Sequence, residues 1–243
     1  MTEFREITSG LQFPEGPIAM PDGSVILVEI ERQSLTRVHP DGRQEIIAKT
    51  GGGPNGAALG PDGKVYICNN GGFKWGVDVG LNHPIAPADD YVSGRIERVD
   101  LDTGAVEVLY SECNGRPLSG PNDIVFDAQG NFWFTDLGKA WERELVHGAI
   151  YYARSDGSLI IEAMHPLAKP NGIGLSPDDK RVYAAETDAG RLVAWDIVGE
   201  GQLSQRPWPA IEWGDLVMAP DGNVRFDSLA LEANGNICVA TLM

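Results

Sequence analysis

The sequence predicts an all-β fold of repeated four-stranded antiparallel units, the architecture of a β-propeller, in one domain that spans residues 1–243. Three observations lead to this prediction. A short motif with an oxygen-bearing side chain recurs five times, a tight-turn sequence follows it at a regular distance, and no segment has the periodicity and caps of an amphipathic helix. The oxygen-bearing residues, here the anchor residues, are Glu15, Asn55, Asn122, Asn171 and Asp227.

Each copy of the motif opens a hairpin. In four copies a turn glycine lies eight residues after the anchor residue, and in the Asn171 copy Asp179 occupies that position. Glycine supplies the positive φ that such turns need. The strand that returns from each turn is rich in Val, Ile, Phe, Trp and Tyr, as half-buried strands are. These returning strands are predicted at 24–28, 65–68, 132–134, 182–185 and 237–240.

A second hairpin follows in the first four copies, where apolar and polar residues alternate on either side of a glycine-containing turn. Its strands are predicted at 35–38 and 45–47, 95–99 and 106–109, 149–152 and 159–161, and 192–195. Four strands per copy fit one blade of a propeller. Tandem two-sheet sandwiches are the alternative, but a sandwich does not require the same kind of polar residue at the start of every unit.

The first strand of each propeller blade lines the central channel, so the anchor residues should form a ring at one end of it. The returning strand ends on the same face, which would place a second set of polar residues around the ring: Glu29, Asn69, Asp136, Glu186 and Thr241. Two long links, at 71–93 and 137–147, also emerge there. Long loops on one face of a rigid scaffold usually shape a binding site.

Charge and composition exclude several classes of partner. The formal net charge of −16 argues against a nucleic-acid or anionic-membrane surface, because both need a basic footprint. No apolar run approaches the ~20 residues of a membrane helix, and residues 1–10 lack the apolar stretch of a signal peptide. We therefore expect a soluble, cytoplasmic protein. The three cysteines, without paired spacing, argue against a disulfide framework.

Three anchor residues suggest a metal site. Two carboxylates and an amide carbonyl, from Glu15, Asp227 and Asn171, would form an all-oxygen site of charge −2 at the channel mouth. Such a site suits a hard divalent cation, above all Ca²⁺, with Mg²⁺, Mn²⁺ or Zn²⁺ as alternatives. Asn122 is either a fourth ligand or a hydrogen-bond donor to substrate, and Asn55 lies further out. In the simpler interpretation, Asn and Asp before Gly only cap tight turns.

The motifs around four anchor residues resemble those of the SMP-30/gluconolactonase/luciferin-regenerating-enzyme-like family: Phe13-Pro14-Glu15-Gly16-Pro17, Pro121-Asn122-Asp123, Pro170-Asn171-Gly172 and Phe226-Asp227-Ser228. The resemblance covers essentially the whole chain. It implies a six-bladed propeller that hydrolyses a small-molecule sugar lactone to the aldonic acid with one catalytic divalent metal. The metal ligands that it implies are Glu15, Asn171 and Asp227.

The resemblance also suggests roles for the remaining candidates. Asp227 would be the general base for the attacking water, and Asn122 matches an asparagine that contacts ligand or water near the metal. Asn55 is a further candidate for substrate contact. Some lactonases of the family carry a substrate-binding arginine two residues before the Asn122 position, where this chain has Gly120. Arg116 is therefore the candidate to reach the same region.

The sixth repeat is not found in the sequence, which ends after the second strand of the fifth. We expect a propeller truncated within its fifth blade, or a ring that closes in an unusual way. Two functional alternatives stay open. The chain could be a non-catalytic propeller that binds a partner with calcium as a structural plug. It could also hydrolyse another ester, lactone or phosphotriester on the same metal.

Overall fold

The computed structural model describes residues 5–78, 80–205 and 214–242. The predicted all-β class is confirmed, because all regular secondary structure within these ranges is β-strand. Accordingly, the described residues include no helix that could cross a membrane.

The first sheet follows the predicted four-strand pattern in chain order. Its strands are β1 (Pro14–Ala19), β2 (Val25–Glu29), β3 (Ser34–Val38) and β4 (Gln44–Lys49). The next six strands are β5 (Pro54–Leu59), β6 (Val65–Asn69), β7 (Phe73–Asp78), β8 (Leu81–Pro87), β9 (Arg95–Val99) and β10 (Val106–Tyr110). Of these, β5, β6, β9 and β10 form the second sheet, and β7 pairs with β8 alone. The link predicted as a long loop at 71–93 is therefore a separate hairpin.

The third sheet repeats this arrangement with a smaller inserted hairpin. The eight strands that follow are β11 (Glu112–Cys113), β12 (Arg116–Pro117), β13 (Pro121–Phe126), β14 (Phe132–Asp136), β15 (Lys139–Ala140), β16 (Leu145–Val146), β17 (Gly148–Ala153) and β18 (Ile160–Leu167). The sheet consists of β13, β14, β17 and β18, whereas β15 pairs only with β16 and β11 only with β12. The second long link is thus also a hairpin.

The fourth sheet and a final hairpin complete the described chain. Their strands are β19 (Pro170–Leu175), β20 (Arg181–Glu186), β21 (Arg191–Gly199), β22 (Gln202–Leu203), β23 (Asp215–Met218), β24 (Arg225–Leu231) and β25 (Ile237–Leu242). In the fourth sheet both β22 and β23 pair with β21, and β24 pairs with β25. Because the described sheets do not join into a closed ring, the number of blades stays a prediction.

Neighbouring sheets pack face to face through apolar side chains. Ile26 and Val28 of the first sheet share a buried cluster with Ile67 and Val99 of the second. The second and third sheets share a cluster rich in aromatic rings, and the third and fourth sheets share another that contains Trp133. The core therefore lies between consecutive sheets. As a result, sheets that follow one another in the chain are also neighbours in space.

The first strands of successive sheets lie side by side: β1 contacts β5, β5 contacts β13, β13 contacts β19 and β19 contacts β24. Glycine after the anchor residue permits this approach. A Cβ on Gly16 would lie 2.5 Å from the nitrogen of Ala57, and one on Gly172 would lie 2.4 Å from the nitrogen of Leu229. These residues lie within strands, so the turn-cap interpretation of the Asn-Gly pairs is wrong.

Gly56→Ala tests this close packing. The added Cβ would meet the backbone oxygen of Asn122 at 2.3 Å and the Cα of Asp123 at 2.7 Å, neither of which can rotate away. Overpacking of this kind typically costs about 1–3 kcal/mol. We expect a loss in that range in the free energy of unfolding by urea. Gly199→Ala is the control, because its Cβ would meet only the flexible side chain of Gln202 at 3.1 Å; equal losses in both variants would contradict the packing argument.

The polar residues that end the returning strands tie each sheet to the segment before it. Glu29 accepts a hydrogen bond from the nitrogen of Gln12 at 2.6 Å, and Glu186 accepts one from Ala168 at 2.6 Å. Asn69 and Asp136 accept equivalent bonds at 2.8 Å and 2.7 Å, from the nitrogens of Gly53 and Gly120. None of the four lines the cavity at the anchor residues. In the strand pairing each of the four lies opposite the proline that precedes an anchor residue, as expected for a second set behind the ring: Pro14, Pro54, Pro121 and Pro170. Their oxygens accept hydrogen bonds from backbone nitrogens and do not face the cavity.

Candidate functional site

All five anchor residues line one cavity of about 660 Å³, here the anchor cavity. Four of them lie near the starts of β1, β5, β13 and β19, and Asp227 occupies the matching position in β24. Because first strands of successive sheets are neighbours, residues in the same register meet at one end of the assembly. The structure thus brings together Glu15, Asn55, Asn122, Asn171 and Asp227.

A direct hydrogen bond joins two of the proposed metal ligands. The Nδ2 atom of Asn171 donates to Oδ1 of Asp227 at 2.8 Å. The backbone oxygen of Asn171 accepts a bond from Oγ1 of Thr135, which fixes the strand below the side chain. With its Nδ2 committed to Asp227, the amide has its carbonyl oxygen available for a ligand; no described side chain or backbone group donates to that oxygen.

Two carboxylates, Glu15 and Asp227, line this end of the cavity, and the buried carboxylate of Asp123 lies close enough to act on Glu15. Burial, together with the charges of Asp227 and Asp123, raises the pKa of Glu15 to about 7. Burial also raises the pKa of Asp227, and it raises that of Asp123 to about 6. Among ion pairs between described residues, none includes any of the three. The local field therefore favours a bound cation, which would stabilise all three charged forms.

Asp123 is a residue that the sequence argument missed. Its Oδ2 accepts hydrogen bonds from the nitrogen of Ile173 at 3.1 Å and from Oγ of Ser228 at 3.2 Å. It therefore connects β13 to both β19 and β24. A signal was present, since Asp123 stands where glycine follows the anchor residue in three other copies.

A second set of cavity residues occupies the position two before the anchor residues. Phe13 and Lys169, each followed by proline, have positive φ values of 56° and 54°. Both line the anchor cavity, as does Arg225. Asp188 holds the two cations in place: its carboxylate lies 2.8 Å from Nζ of Lys169 and 2.7 Å from the Arg225 guanidinium. An alignment of the copies would have identified these positions.

Residues of both long links form a wall of the cavity, as expected. Phe73, Asn82 and His83 of the β7–β8 hairpin line it, together with Leu137 from the segment before β15. The ring of Trp75 packs against Phe13 with centroids 4.9 Å apart. This contact holds the β7–β8 hairpin against the segment that leads into β1.

Arg116 lies away from this site. It belongs to the short strand β12 and lines a different cavity of about 300 Å³ with Cys113, Asn114 and Glu162. The described residues also contain no group of three or more His, Cys, Asp or Glu side chains that could hold a metal ion. Any metal in the anchor cavity would therefore depend on amide oxygens beside the two carboxylates of Glu15 and Asp227.

Comparison with known proteins gives a consistent assignment. The sequence profile of the SMP-30/Gluconolactonase/LRE-like region matches residues 13–243. A gluconolactonase from Zymomonas mobilis is 26% identical over 216 residues, which cover 80% of this chain and 54% of the relative. The lactonase drp35 of Staphylococcus saprophyticus is 28% identical over 233 residues, which cover 95% of this chain and 64% of the relative. The chain thus spans between half and two thirds of the length of these relatives.

A solved structure supports the fold. The calcium-binding protein regucalcin from Agrobacterium tumefaciens superposes with a TM-score of 0.69 at 18% identity. The superposition covers 95% of this chain and 68% of regucalcin.

Proposed function

Because the chain belongs to the SMP-30/gluconolactonase/LRE-like family, we propose that it is a metal-dependent hydrolase that opens sugar lactones to aldonic acids. One observation carries the proposal: side chains from opposite ends of the chain, Glu15, Asn171 and Asp227, converge in one cavity. Lactone hydrolysis by the relatives at 26% and 28% identity supports the reaction class. We also propose that the sheets are blades of a six-bladed propeller.

The donor set fits a hard divalent cation. Glu15 and Asp227 offer carboxylate oxygens, Asn171 offers a free amide oxygen, and Asn122 lies in the same cavity. Oxygen-only sites of this kind suit Ca²⁺, with Mg²⁺, Mn²⁺ or Zn²⁺ as alternatives. The calcium-binding regucalcin among the structural relatives supports this choice. When bound, the cation supplies positive charge that polarises the lactone carbonyl.

The side chains around it then divide the work. Asp227 accepts a proton from the attacking water as general base. The hydrogen bond from Asn171 holds Oδ1 of Asp227 at 2.8 Å, which leaves Oδ2 to receive that proton. Water oxygen bonds to the carbonyl carbon, the ring C–O bond breaks, and the proton passes to the departing ring oxygen. We assign Asn122 and Asn55 to hydrogen bonds with the lactone and its hydroxyl groups.

Cation removal tests the proposal directly. With D-glucono-1,5-lactone in a pH-stat, we expect this chain to consume base in calcium-containing buffer at a rate above the spontaneous reaction. A chelator should lower the rate by about 100-fold or more, because a metal contributes several kcal/mol to transition-state stabilisation. One of the four cations should restore it.

The same experiment separates the alternatives. Calcium binding in a calorimetric titration without lactone turnover would contradict the hydrolase and support a calcium-plugged binding module. Turnover of a phosphotriester or of an acyl-homoserine lactone, but of no sugar lactone, would be consistent with the metal site and would contradict the proposal that the substrate is a sugar lactone.

A further inference from the structure

A second cavity of about 250 Å³, here the Lys139 groove, adjoins the anchor cavity. It lies between the β7–β8 hairpin and the segment around β15, and its walls are mainly apolar, including Ile85, Pro87 and Ala140. The two cavities have four lining residues in common: Phe73, Pro84, Leu137 and Lys169. A ligand whose reacting group lies in the anchor cavity can therefore extend into this groove.

Lys139 is a buried cation in an apolar setting. Its residue is 5% exposed, and Nζ lies 4.2 Å from the ring centroid of Phe73 and 4.9 Å from that of Tyr91. Its single hydrogen bond among described residues goes to the backbone oxygen of Gly72 at 3.3 Å. An ammonium group has three donors. Lys139 thus retains hydrogen-bonding capacity for a ligand.

The carboxylate of Asp136 acts on this ammonium group without forming an ion pair with it. The charge of Asp136 raises the pKa of Lys139 and so opposes the lowering caused by burial. The carboxylate of Asp136, however, accepts hydrogen bonds from three backbone nitrogens, those of Ser119, Gly120 and Gly138. No described carboxylate lies within ion-pair distance of Nζ of Lys139. Burial lowers the pKa of Lys139 to about 8, so the charged form predominates at pH 7.

A second positive group faces the junction of the two cavities. Lys169 and Arg225 share the carboxylate of Asp188, so this cluster of two cations and one anion has a net positive charge. The charge stands out in a chain whose formal net charge is −16. The groove and the junction therefore favour an anionic group, in contrast to the carboxylate-rich end of the anchor cavity.

We propose that Lys139 and Lys169 bind a carboxylate on the part of the substrate remote from the lactone carbonyl, which makes lactones of acidic sugars the preferred substrates. This inference rests on the proposed lactonase function. A carboxylate fits better than a phosphate, because transferring a dianion into apolar walls costs more free energy than transferring a monoanion. The carbon skeleton of the substrate packs against Phe73 and Pro84, and its carboxylate completes the donors of Lys139.

A matched pair of lactones tests the preference. D-Glucaro-1,4-lactone and D-glucono-1,4-lactone have the same ring and differ at C6, which is a carboxylate in the first and a hydroxymethyl group in the second. We expect kcat/KM to be at least about tenfold higher for the acidic lactone, an effect of roughly one charge-assisted hydrogen bond. In Lys139→Met this ratio should fall at least tenfold, and Lys139→Arg should recover much of it.

Lys74→Met is the matched control. Lys74 lies on the same hairpin, is exposed and pairs with Asp89 at 3.2 Å, and it does not line the groove. We expect the wild-type ratio in this variant. Equal kcat/KM values for the two lactones in the wild-type chain, or a ratio unchanged in Lys139→Met, would overturn the proposal.

A binding measurement separates this inference from the proposed function. Cyclohexanecarboxylate and cyclohexanecarboxamide have similar shapes and differ in charge, and neither can be hydrolysed as a lactone. By calorimetric titration at pH 7 we expect the carboxylate to bind at least tenfold more tightly, with the difference lost in both Lys139→Met and Lys169→Met. If lactones are not hydrolysed but this difference is found, the lactonase function fails and the anion site stands. Equal binding of the two probes rejects the site.

Discussion

Asp227→Asn is expected to lower kcat for lactone hydrolysis by about 10³-fold or more. Loss of a general base alone typically costs 10²–10⁴-fold. The substitution also removes one of the two carboxylates offered to the cation, so the affinity for Ca²⁺ should fall as well. Initial rates in a pH-stat and a calorimetric calcium titration would measure the two effects separately.

The same variant should remain folded. Asparagine at this position can still accept the hydrogen bond from Nδ2 of Asn171, and its neutrality relieves the repulsion that helps to raise the pKa of Glu15. We therefore expect a melting temperature in chelator equal to or above that of the wild-type chain. Asp221→Asn, at an exposed turn before β24, is the control and should retain full activity. Wild-type turnover by Asp227→Asn would rule out its assigned role.

Glu29→Ala is expected to destabilise the chain by about 3–5 kcal/mol, because each donor left without its acceptor inside the fold costs about 1–3 kcal/mol. The Glu29 carboxylate is fully buried and accepts bonds from Oγ1 of Thr36 at 2.7 Å and from the nitrogen of Gln12. It also pairs with Nε of Arg32 at 3.1 Å. All three donors would lose their acceptor, and the loss is a large fraction of the stability of a typical domain.

Urea unfolding followed by tryptophan fluorescence measures this effect. Glu29→Gln keeps an acceptor oxygen while removing the charge, and its loss should be intermediate. Glu45→Ala is the exposed control, because Glu45 pairs with His39 at the surface and surface pairs contribute little. If Glu29→Ala proved as mild as Glu45→Ala, the buried acids would not hold the sheets to the segments before them.

The repeat carried most of the information that the sequence holds about the fold. Four-stranded sheets follow from alternating strands and glycine turns, because side-chain period and turn chemistry are local properties. The inserted hairpins β7–β8 and β15–β16 were not predicted. Residues such as Pro84 and Pro87 read locally as loop, and their pairing depends on packing that the sequence does not display.

The convergence of the anchor residues could be predicted because residues at the same position in equivalent, neighbouring sheets lie at the same end of the assembly. The partners of individual side chains could not. Glu29 and Asp136 resemble site residues in the sequence, yet their carboxylate oxygens accept hydrogen bonds from backbone nitrogens. Lys139 gave no signal, since a lone lysine in a sequence is usually exposed. The burial of Lys139 follows from the β7–β8 hairpin, whose Phe73 ring packs against its ammonium group.

The bonds that Asp123 makes to Ile173 and Ser228 have a thermodynamic consequence. Through them the strands that carry the proposed ligands Asn171 and Asp227 are bonded to β13, while Glu15 comes from the first sheet. No local segment contains the whole set, so the unfolded chain has no comparable binding site. Every increment of binding free energy is then added to global unfolding, about 2.7 kcal/mol when the free ligand is 100 times its dissociation constant. A rising calcium concentration would therefore raise the free energy of unfolding of the whole assembly of sheets, and not only the stability of the site.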